Sequence, residues 1–69
     1  MATWDVKNFG AVEVSTCPDF PFYEIHHVWG EPYYRAFSPT GQIGGRCAKF
    51  LYAEILVAQD YQKNSGGTK

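Results

Sequence analysis

The chain has 69 residues, a formal net charge of −1 and a sequence pI near 6.0. A chain of this length forms one domain and buries only about 60% of the surface that its unfolded form exposes. Its six Lys and Arg residues are scattered, which argues against nonspecific binding to a phosphate backbone. An aromatic fraction of 17% supplies rings for a dense core and leaves other rings for the surface.

The N-terminus lacks the basic and apolar pattern of a signal peptide, and no apolar run approaches the ~20 residues that span a bilayer. We therefore expect a cytoplasmic protein that does not bind a membrane. In that compartment Cys17 and Cys47 are reduced thiols, with Cys47 packed as a small hydrophobic residue.

The first predicted strand covers residues 11–16, where apolar and polar residues alternate. Residues 3–7 also alternate, but Asn8, Phe9 and Gly10 interrupt the pattern between the two stretches. We interpret residues 3–7 either as a bulged extension of this strand or as a separate short arm.

The second predicted strand covers residues 22–29. Its alternation places one set of side chains on the better core face: Tyr23, Ile25, His27 and Trp29. The adjacent histidines, His26 and His27, therefore point to opposite faces.

The third predicted strand covers residues 33–37, antiparallel to the second. Tyr33, Arg35 and Phe37 share one of its faces, and Tyr34 and Ala36 share the other. A turn follows at residues 38–41, because the segment Ser-Pro-Thr-Gly suits a tight turn. Residues 42–43 can then add one or two positions of strand.

A helix is predicted over residues 46–63, with glycine pairs just beyond each end. Residues that recur at steps of three and four define its predicted core stripe: Ala48, Leu51, Ile55, Ala58 and Gln62. Residues 1–63 then form a single domain, and residues 64–69 form a disordered polar tail.

The predicted fold is α+β: a small three-stranded antiparallel β-meander with one C-terminal α-helix packed across one face (βββα). The helix is apolar round most of its circumference, and one small sheet cannot cover all of it. Either a second chain or the N-terminal segment must lie over the remainder. Glu54 falls on the apolar side, where it either reaches water, pairs with a lysine or histidine, or is partly buried.

The residues that could bind a metal ion or act as a nucleophile do not form a known catalytic or metal-binding motif. Structural zinc sites usually bring close ligand pairs, which His26, His27, Cys17 and Cys47 do not provide. Cys47 as a nucleophile is an alternative without an evident oxyanion hole. We expect no catalytic residue, no cofactor and no bound metal.

The sequence favours a non-enzymatic module that binds a larger protein. The residues chosen for its interface are mostly aromatic: Trp29, Tyr33, Tyr34, Arg35, Phe37, Tyr52, Glu54 and Leu56. A homodimer is a second form of assembly that the sequence allows. A nucleic-acid-binding accessory protein, using the aromatic sheet face or the Arg46 and Lys49 end of the helix, is the less favoured alternative.

The strand and helix order, with the Tyr-Tyr-Arg-Ala-Phe-Ser-Pro-Thr-Gly-Gln segment at residues 33–42, resembles that of many very small proteins of phages and mobile elements. The resemblance is one of size and layout. It implies a stoichiometric binder or an inhibitor.

Overall fold

The structure, a computed structural model, describes residues 3–66. Its elements in chain order are β1 Asp5–Phe9, β2 Val12–Thr16, β3 Glu24–Val28, β4 Tyr34–Ser38, β5 Gly41–Cys47 and α1 Phe50–Gly66. The strands form one antiparallel sheet in the order β1-β2-β3-β4-β5, and α1 lies over β3, β4 and β5 on one face. The predicted α+β class is confirmed, but the sheet has five strands rather than three.

The first additional strand comes from the N-terminal segment. β1 and β2 form a hairpin in which Phe9 pairs with Val12 across the two-residue loop Gly10-Ala11. Gly10 has a φ of 67°, which a glycine adopts without steric cost. The apparent interruption at residues 8–10 is therefore the end of one strand and a turn, rather than a bulge within a single strand.

The second additional strand, β5, continues through the glycine pair that was predicted to begin the helix. The pairing with β4 shifts between Tyr34, which faces Cys47, and Ala36, which faces Ile43. Two extra residues of β5 are accommodated there, and Gly44 adopts a φ of 66°. The glycines therefore form a bulge inside a strand, and Arg46 belongs to β5 rather than to the helix.

Gly44 also lies against the helix. A Cβ atom built on Gly44 would lie 2.8 Å from Leu56 Cδ1, whereas one built on Gly45 would meet nothing within 4 Å. A side chain at position 44 would therefore strain the backbone and force the Leu56 side chain to shift.

The helix begins four residues later than predicted, at Phe50, and continues through Gly66 rather than ending at Lys63. Its last turn is held by Asn64, whose Nδ2 donates to the backbone oxygen and to Oδ2 of Asp60, both at 3.0 Å. Residues 64–66 of the predicted tail are thus helical. Residues 67–69 lie outside the described part of the chain.

The core lies between α1 and the middle of the sheet. Its most deeply buried residues are Ile25, Ala36, Ala53 and Val57, each 0% or 1% exposed. Ala53 and Val57 are on the opposite side of the helix from the predicted core stripe, in which Leu51 and Ile55 are exposed. The prediction of which side of the helix faces the sheet was wrong, because apolar residues occur on both sides. Periodicity alone therefore does not identify the buried side.

The predictions for β3, β4 and the turn between β4 and β5 are confirmed. Tyr23 and Ile25 are buried on the helix side, although Trp29 is 60% exposed in the turn after β3. In the turn at residues 38–41, the Ser38 hydroxyl donates to the Gly41 carbonyl and accepts from the Thr40 amide. These local bonds explain why the sequence signal for this turn is reliable.

The double constraint at Gly44 is testable by alanine substitution. We expect Gly44→Ala to lower the free energy of unfolding by about 2 kcal/mol, because it adds a left-handed backbone penalty and a clash with Leu56. Gly45→Ala is the matched control and is expected to change it by less than about 0.5 kcal/mol. Urea unfolding of the three proteins measures both effects, and equal stabilities would contradict the assignment of the bulge.

Candidate interaction surfaces

The helix exposes three large apolar side chains on the side that faces away from the sheet. Leu51, Tyr52 and Ile55 are 56%, 49% and 43% exposed. Residues 51 and 55 are one helical turn apart, and residue 52 lies beside them, so the three side chains form one patch. We call this patch the outer helix face.

The sheet has a second exposed surface, the face opposite α1, which we call the open sheet face. One row across it consists of Lys7, Val14, His26 and Arg35, as the strand register shows. His26 packs against Phe37 of the same face, with ring centroids 4.2 Å apart.

Two of the positive or titratable groups on this face already have acidic partners. His26 Nε2 lies 2.8 Å from Glu24 Oε1, and Arg35 Nη1 donates to Glu31 Oε1 at 2.8 Å. These contacts offset positive charge locally. The open sheet face therefore has little net charge with which to attract a polyanion.

Tyr33 lies close to two guanidinium groups on the open sheet face. Arg46 Cζ is 4.8 Å from the Tyr33 ring centroid and Arg35 Cζ is 5.4 Å from it. Arg46 Nη1 also donates to the Tyr33 hydroxyl at 3.0 Å. These contacts hold Arg46 close to the sheet, and Arg46 is exposed.

Several residues chosen from the sequence as interface residues instead pack inward. Tyr34 stacks on His27 at 4.7 Å and meets Phe50 edge-on at 5.7 Å, both on the helix side of the sheet. Leu56 packs against the core next to Gly44. Their rings and methyl groups fill space between α1 and the sheet.

Glu54 is half-buried and takes a partner that the sequence did not suggest. Its Oε2 accepts a hydrogen bond from Trp4 Nε1 at 2.9 Å. The Trp4 ring also packs against Phe20 and Phe50, with centroids 5.9 and 5.6 Å away. The N-terminal segment thus covers one flank of the helix, which is one of the two arrangements expected from its surplus of apolar residues.

The predicted interface residues therefore do not converge on one surface. Tyr33, Arg35 and Phe37 lie on the open sheet face, Tyr52 lies on the outer helix face, and Trp29 lies in the turn after β3. The remaining three contribute to the packing between α1, β4, β5 and Trp4. Aromatic character indicated candidate residues but not the side of the sheet or helix to which each belongs.

Other exposed apolar residues were not among the predicted interface residues. Val6, Phe9 and Phe22 are 55%, 62% and 84% exposed, in addition to Leu51 and Ile55. Recognising Gly10-Ala11 as a two-residue hairpin loop would have identified β1 as an edge strand and exposed its side chains. No comparable local feature of the sequence indicates which side of the helix is buried.

Two shallow clefts border the helix. The larger, of about 470 Å³, lies between β5 and α1 and includes Ile43, Leu56 and Lys63 in its lining. The smaller, of about 230 Å³, lies beside Tyr23 and Asp60. Within residues 3–66, no three His, Cys, Asp or Glu side chains come together to hold a metal ion.

The two cysteines are free and buried. The Cys47 thiol makes a weak contact with the Gly45 carbonyl oxygen at 3.7 Å, at the end of β5 rather than in the first helical turn. In the part of the chain that the structure describes, no helix has both the length and the apolar character needed to cross a membrane.

Comparison of the chain with protein-family models, with curated proteins and with solved structures finds no match. The surfaces themselves are therefore the basis for assigning a function.

The smaller cleft is lined by Tyr23, a buried residue whose hydroxyl has an acidic partner. The Tyr23 hydroxyl donates to Asp60 Oδ2 at 2.7 Å, and Asn64 donates to the same oxygen. Burial, and then the hydrogen bond to Asp60, raise the pKa of Tyr23 above its ordinary value of 10.0. This bond joins the sheet to the last turns of the helix.

The raised pKa of Tyr23 predicts a loss of stability at alkaline pH. Above pH 10.0 the unfolded chain releases this proton while the folded chain retains it, so the free energy of unfolding falls as pH rises. We expect Tyr23→Phe to reduce this fall, and to cost about 1 kcal/mol near neutral pH through the lost hydrogen bond.

Urea unfolding from about pH 9 to about pH 11 measures the slope of the free energy of unfolding against pH. Tyr52→Phe is the control, because it removes the hydroxyl of an exposed tyrosine. The same slope in wild type and Tyr23→Phe would contradict the role assigned to this hydroxyl.

Proposed function

We propose that the chain is a small non-enzymatic module that binds a larger protein, which it occludes or bridges, through the outer helix face. The observation that carries this proposal is the exposure of Leu51, Tyr52 and Ile55 on a helix whose opposite side is already buried. A second packing surface on one helix is typical of a segment that lies between the core and a partner.

The chemistry of the outer helix face suits a protein groove. Leucine and isoleucine one turn apart supply the apolar anchors of a helix that binds in a groove, and tyrosine adds a large ring with a polar end. Around the patch, Lys49, Gln59 and Gln62 are exposed and supply a polar rim. An apolar centre with a polar rim is the usual composition of a specific protein interface.

Substitutions that introduce a charge into the outer helix face test the proposal directly. We expect Leu51→Glu and Ile55→Glu each to weaken partner binding by at least about tenfold, because a carboxylate would be buried in an apolar contact. Gln42→Glu adds the same charge at an exposed position of β5, outside the outer helix face, and should retain binding. Tyr34 and Leu56 are unsuitable for this test, because charge there would disrupt the core.

The measurement has two stages. Proteins of the source cell are captured with wild type and with each variant, and any protein lost with Leu51→Glu and Ile55→Glu but kept with Gln42→Glu is purified. Titration calorimetry with that protein then gives the affinity and the stoichiometry. If every captured protein binds all four forms equally, the outer helix face is not the binding surface.

Arg46 and Tyr33 favour a second candidate function, binding to single-stranded nucleic acid. Their stacked and hydrogen-bonded pair on the open sheet face offers a ring and a cation, which together can contact a base and a phosphate. The acidic partners of Arg35 and His26 weaken this candidate relative to the first.

The nucleic-acid candidate predicts binding of short single-stranded oligonucleotides that decreases steeply as salt rises. Arg46→Ala should then reduce the salt slope by about one unit, whereas Lys63→Ala, on the helix, should not. Fluorescence anisotropy over a salt series measures both. Absence of binding at low salt eliminates this candidate.

A further inference from the structure

The free edge of the sheet at β1 has the features of a self-pairing strand. All five residues of β1 are exposed, and β2 is the only strand with which β1 pairs in the described sheet. β1 is regular, contains no proline and pairs with β2 without a bulge. Such an edge presents unpaired backbone groups to another strand.

The hydrogen-bonding pattern shows which residues present these groups. The Trp29 amide donates to the Ala11 carbonyl at 2.8 Å, so the odd-numbered residues of β2 point their backbone groups towards β3. Its even-numbered residues, paired with Asp5, Lys7 and Phe9, therefore bond to β1. In β1 it follows that the backbone N–H and C=O groups of Val6 and Asn8 point to the free edge.

The charges of β1 complement one another in one particular register. Asp5 and Lys7 lie on the open sheet face, opposite Thr16 and Val14 of β2, and neither takes part in an ion pair within residues 3–66. If two copies of β1 pair antiparallel with Val6 opposite Val6, each Asp5 faces a Lys7 of the other copy. The alternative register with Lys7 opposite Lys7 brings like charges together.

We infer that two copies of this chain associate through β1 in the register centred on Val6, which forms a continuous ten-stranded sheet. The two Val6 residues form a hydrogen-bonded pair, because their backbone groups are the ones that point outward. Their side chains, now 55% exposed, cover each other on the helix side of the sheet. The contact is the same on both copies, as a two-fold axis requires.

The opposite edge explains why association stops at two copies. β5 carries the bulge at Gly44, and a bulge bends and twists an edge strand away from further pairing. Only β1 offers a regular ladder, so the two-fold contact leaves no second regular edge. This dimer does not depend on the outer helix face and stands apart from the proposed function.

A charge exchange tests the dimer and its register together. Sedimentation velocity over a concentration series should show wild type at twice the 7.8 kDa chain mass. Lys7→Asp places two carboxylates opposite each other in both symmetric contacts, and Asp5→Lys places two ammonium groups there. We expect each to raise the dissociation constant by at least about tenfold.

The double variant Asp5→Lys/Lys7→Asp restores opposite charges and should dimerise again as wild type does. Lys49→Asp makes the same charge change away from β1 and should leave the dimer unchanged, as should Ile55→Glu on the helix. Circular dichroism confirms that each variant is folded. A wild-type monomer at all concentrations, or a double variant as weak as either single variant, overturns the inference.

A cysteine at the centre of the contact tests the register independently. Two Cα atoms of a hydrogen-bonded pair lie about 5.5 Å apart, within the range that a disulfide spans. Under oxidised glutathione, Val6→Cys should form a covalent dimer in which two thiols lose two protons and two electrons to the oxidant. Lys7→Cys should not, because Lys7 faces Asp5. Equal crosslinking of Lys7→Cys, or none of Val6→Cys, contradicts the register.

Discussion

The close contact between α1 and the strands β4 and β5 determines the arrangement of the rest of the molecule. Ala36 of β4 and Ala53 of α1 are both fully buried, and their small side chains allow the helix backbone to approach the sheet. Gly44 allows the same approach on the β5 side. The helix is thereby centred on β3, β4 and β5, and it leaves β1 and β2 without a helical cover.

This off-centre position explains the aromatic cluster beside the helix. Trp4, Phe20 and Tyr61 fill the space between α1 and the uncovered half of the sheet, with Phe20 and Tyr61 edge-on at 5.4 Å. The bond from Trp4 to Glu54 ties the chain before β1 to the helix. A small domain has little interior, so the Trp4 ring is effective here because it covers the core while its indole N–H stays hydrogen-bonded.

The sequence was informative where a strand or turn depends on its own residues. The alternation of β3, the opposite directions of His26 and His27, and the turn after β4 are local properties, and the structure confirms them. It was misleading at Gly44, because a glycine that breaks a helix and a glycine that forms a bulge look the same in a sequence. Only the partner strand and Leu56 distinguish the two.

The prediction of which side of the helix is buried failed for a different reason. Leu51 and Ile55 on one side and Ala53 and Val57 on the other form competing apolar stripes, and the larger side chains lie outside. A core stripe is usually assigned to the larger side chains, but here the fully buried positions of the helix are Ala53 and Val57. The exposed stripe is thus a direct consequence of the tight contact that organises the fold.

Phe22 shows that folding alone does not explain every exposed ring. The Tyr23 amide donates to the Phe20 carbonyl at 3.2 Å, and Phe22 has a φ of 72°, so the segment is a type II turn with phenylalanine at the position that favours glycine. The left-handed conformation costs about 1 kcal/mol for a residue with a side chain. Because this ring is 84% exposed, little packing offsets that cost. Glycine would satisfy the turn better, so the phenylalanine ring is not explained by the backbone conformation of this turn or by packing.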